Sequence, residues 1–143
     1  MHLGIGVVAY SPLARGVLTG KYVPGAEPPA DSRAGRKDVR ILDSEIREES
    51  LVVAQKLKAH AEAQGMTAAE FAVKWVLNNK AVATVIGGPK NVQQWQGYVS
   101  ALDRCFSAAD EAAVDALVKP GFGSTPFFAD PKLPPRGRVP VAG

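Results

Sequence analysis

A chain of 143 residues with 46% hydrophobic and 22% charged side chains has the composition of a globular domain able to bury one core. Its formal net charge of +3 comes without any run of five or six like charges, so it indicates neither a nucleic-acid patch nor a membrane-surface patch. No apolar run reaches the roughly 18 residues of a membrane span, the single Cys105 excludes an internal disulfide, and His2 and His60 form no cluster for a structural metal.

Met1-His2-Leu3 lacks the charged and apolar regions of a signal peptide, which with the lone cysteine predicts a reducing, cytoplasmic setting. Ile5, Val7, Val8 and Ala9 then form a short apolar run without alternation, the pattern of a strand buried on both faces. This abrupt opening suggests that an N-terminal portion is missing. Ser11-Pro12 stops the strand, because proline cannot donate to a ladder. The loop that follows carries Tyr10, Ser11, Arg15, Gly16, Gly20 and Lys21, and the carboxyl ends of strands in parallel α/β folds are where ligands sit. It reads as a ligand-binding loop. Two short motifs here fail on context. Gly4-x-Gly6-x-x-Ala9 fits a dinucleotide fingerprint, but no helix opens after it, and Gly16 to Lys21 is one residue short of a P-loop, with Tyr22 where magnesium would need a hydroxyl of Ser or Thr.

Val23 to Asp43, with Pro24, Gly25, Pro28, Pro29 and Gly35, is predicted to be a long loop, and loops of this length in compact domains are functional or disordered. Ser44 to Gln64 has Ile46, Val53, Leu57 and Ala61 at helical spacing, acidic residues near its start and Gly65 after its end, which predicts a scaffold helix. His60 lies near that helix end, with no carboxylate, Cys or second His three or four positions away, and is read as no metal ligand. Thr67-Ala-Ala-Glu70 is a capping box that opens a helix over Ala68–Asn78, apolar over most of its circumference, with Trp75 in the core. Val82–Ile86 is a second buried strand. Gly87-Gly88-Pro89-Lys90 carries it into a helix from about Asn91 to Leu102, a sequence that makes either a phosphate cradle or a plain connecting turn. Ser107-Ala-Ala-Asp110 opens a further helix over Ala108–Val118. Residues 119–143 hold Phe122, Phe127 and Phe128 among six prolines and are predicted to be irregular.

Tyr10-Ser-Pro-Leu-Ala-Arg-Gly-Val-Leu-Thr-Gly-Lys-Tyr22 closely resembles the end of the seventh strand of aldo/keto reductases, NADPH-dependent carbonyl reductases built on a (β/α)8 barrel. Val82 to Gln94 resembles the eighth strand and the helix after it. The resemblance implies an α/β fold: the C-terminal portion of a (β/α)8 TIM barrel, with two parallel strands and four to five helices, spanning residues 1–143 as a partial domain. Such a barrel needs about 250 residues.

The family places an aromatic under the nicotinamide at the position of Tyr10, within the cofactor-binding stretch Ser11, Pro12, Leu13, Ala14 and Arg15. It uses cations near the pyrophosphate at Lys21 and Arg33, and a glycine, a polar or basic residue and a glutamine at Gly88, Lys90 and Gln94 for the adenosine end of NADP(H). A solvated surface cation is the alternative reading for Lys21 and Arg33. Lys90 would suit a 2′-phosphate. Gly97 and Tyr98 depart from the acidic residue and asparagine of many members, and Tyr98 either stacks on adenine or packs on the barrel. The loop after the seventh strand is implied to fold over the cofactor, and the C-terminal segment to close over the substrate pocket.

The implied reaction is hydride transfer from NADPH to an aldehyde or ketone. The tyrosine, lysine, aspartate and histidine that serve it have no match here, so no catalytic residue is assigned, nor any metal ligand, and the chain is expected to be inactive alone. The alternative is a non-catalytic NADP(H)-binding subunit or sensor. Two strands with open edges also predict instability or self-association.

Overall fold

The computed structural model describes residues 4–125, 132 and 138–141. Two parallel strands, β1 (Val7–Tyr10) and β2 (Val82–Ile86), lie side by side, with Val8 opposite Thr84, Ala9 opposite Val85 and Tyr10 opposite Ile86. A short 3-10 segment (Ala14–Thr19) and the helices α1 (Val39–Ser44), α2 (Glu48–Ala63) and α3 (Ala68–Leu77) form the crossover between them. Helices α4 (Val92–Ser100) and α5 (Ala108–Leu117) follow β2.

The helix starts obey local rules. In α3 the Thr67 hydroxyl accepts from the Glu70 amide at 3.1 Å while the Glu70 carboxylate accepts from the Thr67 amide at 2.7 Å, which closes the expected capping box. Ser107 and Asp110 do the same for α5. The predicted helix over Ser44–Gln64 instead begins at Glu48, and α1 occupies the end of the predicted loop. Arg47 causes the break: its extended backbone caps α2, and its guanidinium donates to the Ser44 and Asp43 carbonyls at the end of α1. Ile41, fully buried, holds α1 in place, a burial worth about 1.5–3 kcal/mol.

Among the described residues, two apolar clusters form the core. Val17, Tyr22, Ala34, Ile41, Leu51 and Ala54 tie the loop after β1 to α1 and α2. Ala61, Met66, Phe71 and Phe106 join α2 and α3 to the entrance of α5, with Trp75 packed alongside as expected. Where α2 meets α5, His60 Nε2 lies 2.7 Å from Asp110 Oδ1, and its ring meets Phe71 edge-on. His60 therefore has a carboxylate partner, contributed by a distant helix that sequence spacing does not reveal.

Burial of the strands differs from the expectation. Val8 is 54% exposed and Ile86 58%, although both strands have the apolar content of sheet covered on both faces. The cause is the width of the sheet: two strands present two outer edges, and α3 packs against β2 while much of the remaining surface is open. Val92, Trp95 and Val99 of α4 are exposed as well.

The described end of the chain lies away from the carboxyl ends of the strands. Lys80 donates to the Val139 carbonyl at 2.8 Å and Val141 to that of Asn78 at 3.2 Å, so residues 138–141 run antiparallel to the segment preceding β2. Arg138 anchors them through Glu111, the Trp75 carbonyl and the Trp75 ring, 4.0 Å from its guanidinium carbon. The implied closure over a substrate pocket is thus not made by these residues. Phe122 packs against the Lys119 ammonium, and Phe127 and Phe128 lie outside the described residues.

Glu70 joins α3 to the end of α4 and beyond, accepting from the Ser100 hydroxyl at 2.6 Å and from Arg104 at 2.7 Å. Burial opposes its ionisation, but bonds from Ser100, the Thr67 amide and Arg104 outweigh that and lower its pKa to about 2. A depressed carboxylate contributes its stability above the unfolded value near 4.5 and loses it as pH falls toward 2. Denaturation by urea should therefore become easier across that window, with a shallower acid limb in Glu70→Gln and about 2 kcal/mol lost at neutral pH, the scale of hydrogen bonds to a charged group. An unchanged acid limb in the variant would contradict the assignment. The open strand surfaces lead to a second expectation: sedimentation velocity should show species heavier than the 15.1 kDa monomer, fewer of them for Val8→Lys, whereas a lone monomer at every concentration would exclude self-association.

Candidate cofactor cleft

Because Tyr10 and Ile86 are opposite one another, β1 and β2 end at the same level and their loops leave side by side. The loop after β1 turns sharply at once. Ser11, Ala14 and Arg15 have φ of 53°, 45° and 53°, the left-handed region that costs a side-chain-bearing residue about 1–3 kcal/mol. Elsewhere among the described residues, Lys37 alone of the non-glycine positions adopts it. The loop keeps this shape because its far side is anchored. Val17 and Tyr22 are buried in the first core cluster, and Gln55 of α2 donates to the carbonyls of Gly20 and Tyr22, both at 2.9 Å.

A cleft of about 680 Å³ opens between this loop and the turn after β2. Tyr10, Ser11, Pro12, Leu13 and Arg15 line one wall, and Gly88, Lys90 and Gln94 the other. Lys21 and Arg33 reach it from the β1 loop and its continuation. Of the residues singled out in the sequence, Ala14 is not on the wall; its strained backbone shapes the loop and its side chain packs on the core. Tyr10 is 78% exposed at the strand end, its ring accessible to a flat partner. Arg33 projects outward because Ser32 and Ala34 on either side of it are buried. Lys21 is exposed above buried Tyr22, its ammonium 5.1 Å from that ring.

Five cationic side chains, Arg15, Lys21, Arg33, Arg40 and Lys90, line the cleft, and no carboxylate does among the described residues. Such a wall concentrates positive potential in a partly desolvated groove and favours a multiply charged anion. Arg40 is not legible in the sequence as a site residue, because the pattern there predicts a loop in place of α1. An Asp two residues before it is the available signal: the Asp38 carboxylate accepts from the Arg40 amide at 3.0 Å and starts the helix.

The turn after β2 is less of a phosphate cradle than its glycines suggest. The Gly88 amide bonds the Tyr98 hydroxyl, the Lys90 amide donates to Gln94 Oε1 at 2.8 Å, and the Gln94 amide donates to Asn91 Oδ1 at 2.9 Å. These three donors are already used. What the turn presents is the Lys90 ammonium, 3.5 Å from the Asp31 carbonyl of the long loop, together with the Gln94 carboxamide N–H groups and open space beside Gly88. Tyr98 packs under the turn: a methyl group on Gly87 would come within 2.6 Å of its ring, so only glycine fits there. Burial raises the Tyr98 pKa against the opposing Gly88 bond.

Known proteins resemble this chain over most of its length. The sequence model of the aldo/keto reductase family matches residues 1–119. The L-glyceraldehyde 3-phosphate reductases of Escherichia coli O157:H7 and of strain K12 are each 32% identical over 122 residues, 82% of this chain and 35% of the relative. A probable voltage-gated potassium channel subunit beta of Arabidopsis thaliana is 39% identical over 101 residues, 70% of this chain and 30% of the relative. The chain spans about a third of the length of these curated relatives. On the family match over most of its length, the chain belongs to the aldo/keto reductase family.

Proposed function

We propose that the chain is the nucleotide-holding part of an NADP-dependent aldo/keto reductase that acts on small aldehydes or ketones in the cytoplasm. β1 and β2 are then the seventh and eighth strands of a (β/α)8 barrel. One observation carries this reading: at the level carboxyl ends of two parallel strands, separate segments bring five cations and, among the described residues, no carboxylate to one cleft, beside an exposed aromatic. The donor set suits a dinucleotide with a pyrophosphate and a further phosphate.

When bound, NADPH supplies the hydride that reduces the carbonyl carbon. In this reading the Tyr10 ring lies against the nicotinamide and fixes which face is presented. Lys21 and Arg33 hold the pyrophosphate, Lys90 takes the 2′-phosphate and Gln94 contacts the adenosine end. The proton donor for the developing alkoxide lies in a part of the barrel outside this chain. The exposed single Cys105 is compatible with a reducing compartment.

Calorimetric titration with NADPH and NADH tests the proposal. NADPH is expected to bind at least about tenfold more tightly, with affinity falling as salt rises, and Lys90→Met is expected to reduce the preference to about threefold or less. Equal affinities for the two cofactors in the unaltered chain, or binding of neither, would overturn it.

A further inference from the structure

Of the cleft's three arginines, Arg15 and Arg33 are marked by the sequence motif, yet the Arg15 guanidinium is already engaged. Nη1 donates to the Arg40 carbonyl at 2.8 Å and to the Ser44 hydroxyl, and lies 3.8 Å from the Glu45 carboxylate. With Nη1 so occupied and an acidic neighbour answering its charge, Arg15 is committed on one side to α1, and only Nε and Nη2 remain for a ligand. Arg40 is the reverse case. Its backbone is held at both ends, the amide by Asp38 and the carbonyl by Arg15 and Ser44. Its side chain is exposed, lines the cleft, and has neither hydrogen bond nor ion pair among the described residues. A planar, permanently charged fork on a fixed base is well suited to bidentate phosphate binding.

We propose that Arg40 is a phosphate-contacting residue of the cofactor cleft and that Arg15 is its positioning residue. The inference rests on the NADP(H) reading above. It adds a binding residue from α1 and changes what Arg15 does: its left-handed backbone, at φ 53°, aims the guanidinium across the loop at the helix that carries Arg40. Lys21 and Arg33 approach from the other loop segments, so Arg40 adds a contact from a separate direction.

The test is NADPH titration of the chain, at low and at moderate salt, for Arg40→Ala, Arg40→Lys, Arg15→Met and the Arg15→Met/Arg40→Ala double variant. Arg40→Ala is expected to bind about tenfold more weakly and with less salt dependence, as loss of a charge-assisted contact requires. It should keep the wild-type melting temperature, since its side chain is exposed and unpaired. Arg40→Lys should recover part of the affinity. Arg15→Met should weaken binding alone but add nothing to Arg40→Ala, because a residue acting through Arg40 has no effect once Arg40 is gone. Wild-type affinity in Arg40→Ala would remove this inference and leave the functional reading standing. Equal losses from Arg15→Met in both backgrounds would show that Arg15 acts independently of Arg40. An unaltered chain that binds neither NADPH nor NADH would overturn both readings.

Discussion

The pairing of Tyr10 with Ile86 governs the geometry of the whole cleft. It fixes where both strands stop, and therefore where both loops begin. A shift of the register by one residue would separate the loop after β1 from the turn after β2 and exchange the faces of every strand side chain. Gly6 lets the chain entering β1 lie this close to β2, since a methyl group there would come 2.9 Å from the Ala83 Cβ. The cleft thus follows from backbone pairing before any charged side chain contributes to it.

Upon that frame, two layers of anchoring give the cleft its shape. Buried Tyr22, Val17 and Ala34 draw the long loop against α1 and α2, which leaves Lys21 and Arg33 facing outward between buried neighbours. The Glu70 carboxylate, meanwhile, ties α3 through Ser100 and Arg104 to the end of α4, whose beginning carries Gln94. Cations therefore stand on segments that the cores hold in place. Since packed cores deform little, the spacing between these cations is set by apolar contacts that never touch the cleft.

Legibility from the sequence follows the range of the forces involved. The starts of α3 and α5 are readable because Thr67 with Glu70, and Ser107 with Asp110, act over three residues. β2 is readable from its apolar run and flanking glycines. α1 is not, because six residues have little helical stability of their own, and it depends on Ile41 burial and on bonds from Arg15 and Arg47. The exposure of Val8 and Ile86 escapes the sequence because apolar content records the surroundings a strand is suited to, whatever covers it here. Within the site, motif resemblance marks most of the cleft-lining residues. It does not reveal that the Gly88, Lys90 and Gln94 amides are already bonded, or that Arg40 lines the same cleft. The Lys90 and Gln94 bonds are local but lie outside what the motif marks, whereas the Gly88 bond to Tyr98 and the placement of Arg40 depend on residues more distant in the chain.

The Arg138 guanidinium stacked on Trp75 matters in another way. The indole lies beside a cation contributed by the far end of the chain, while Trp95 stands exposed on α4 with no such neighbour among the described residues. The two tryptophans thus occupy electrically distinct surroundings, and a positive charge against a ring face shifts the energies of its optical transitions. Detachment of residues 138–141 would alter the emission of one indole and spare the other, giving the protein an intrinsic spectroscopic record of whether that segment is seated.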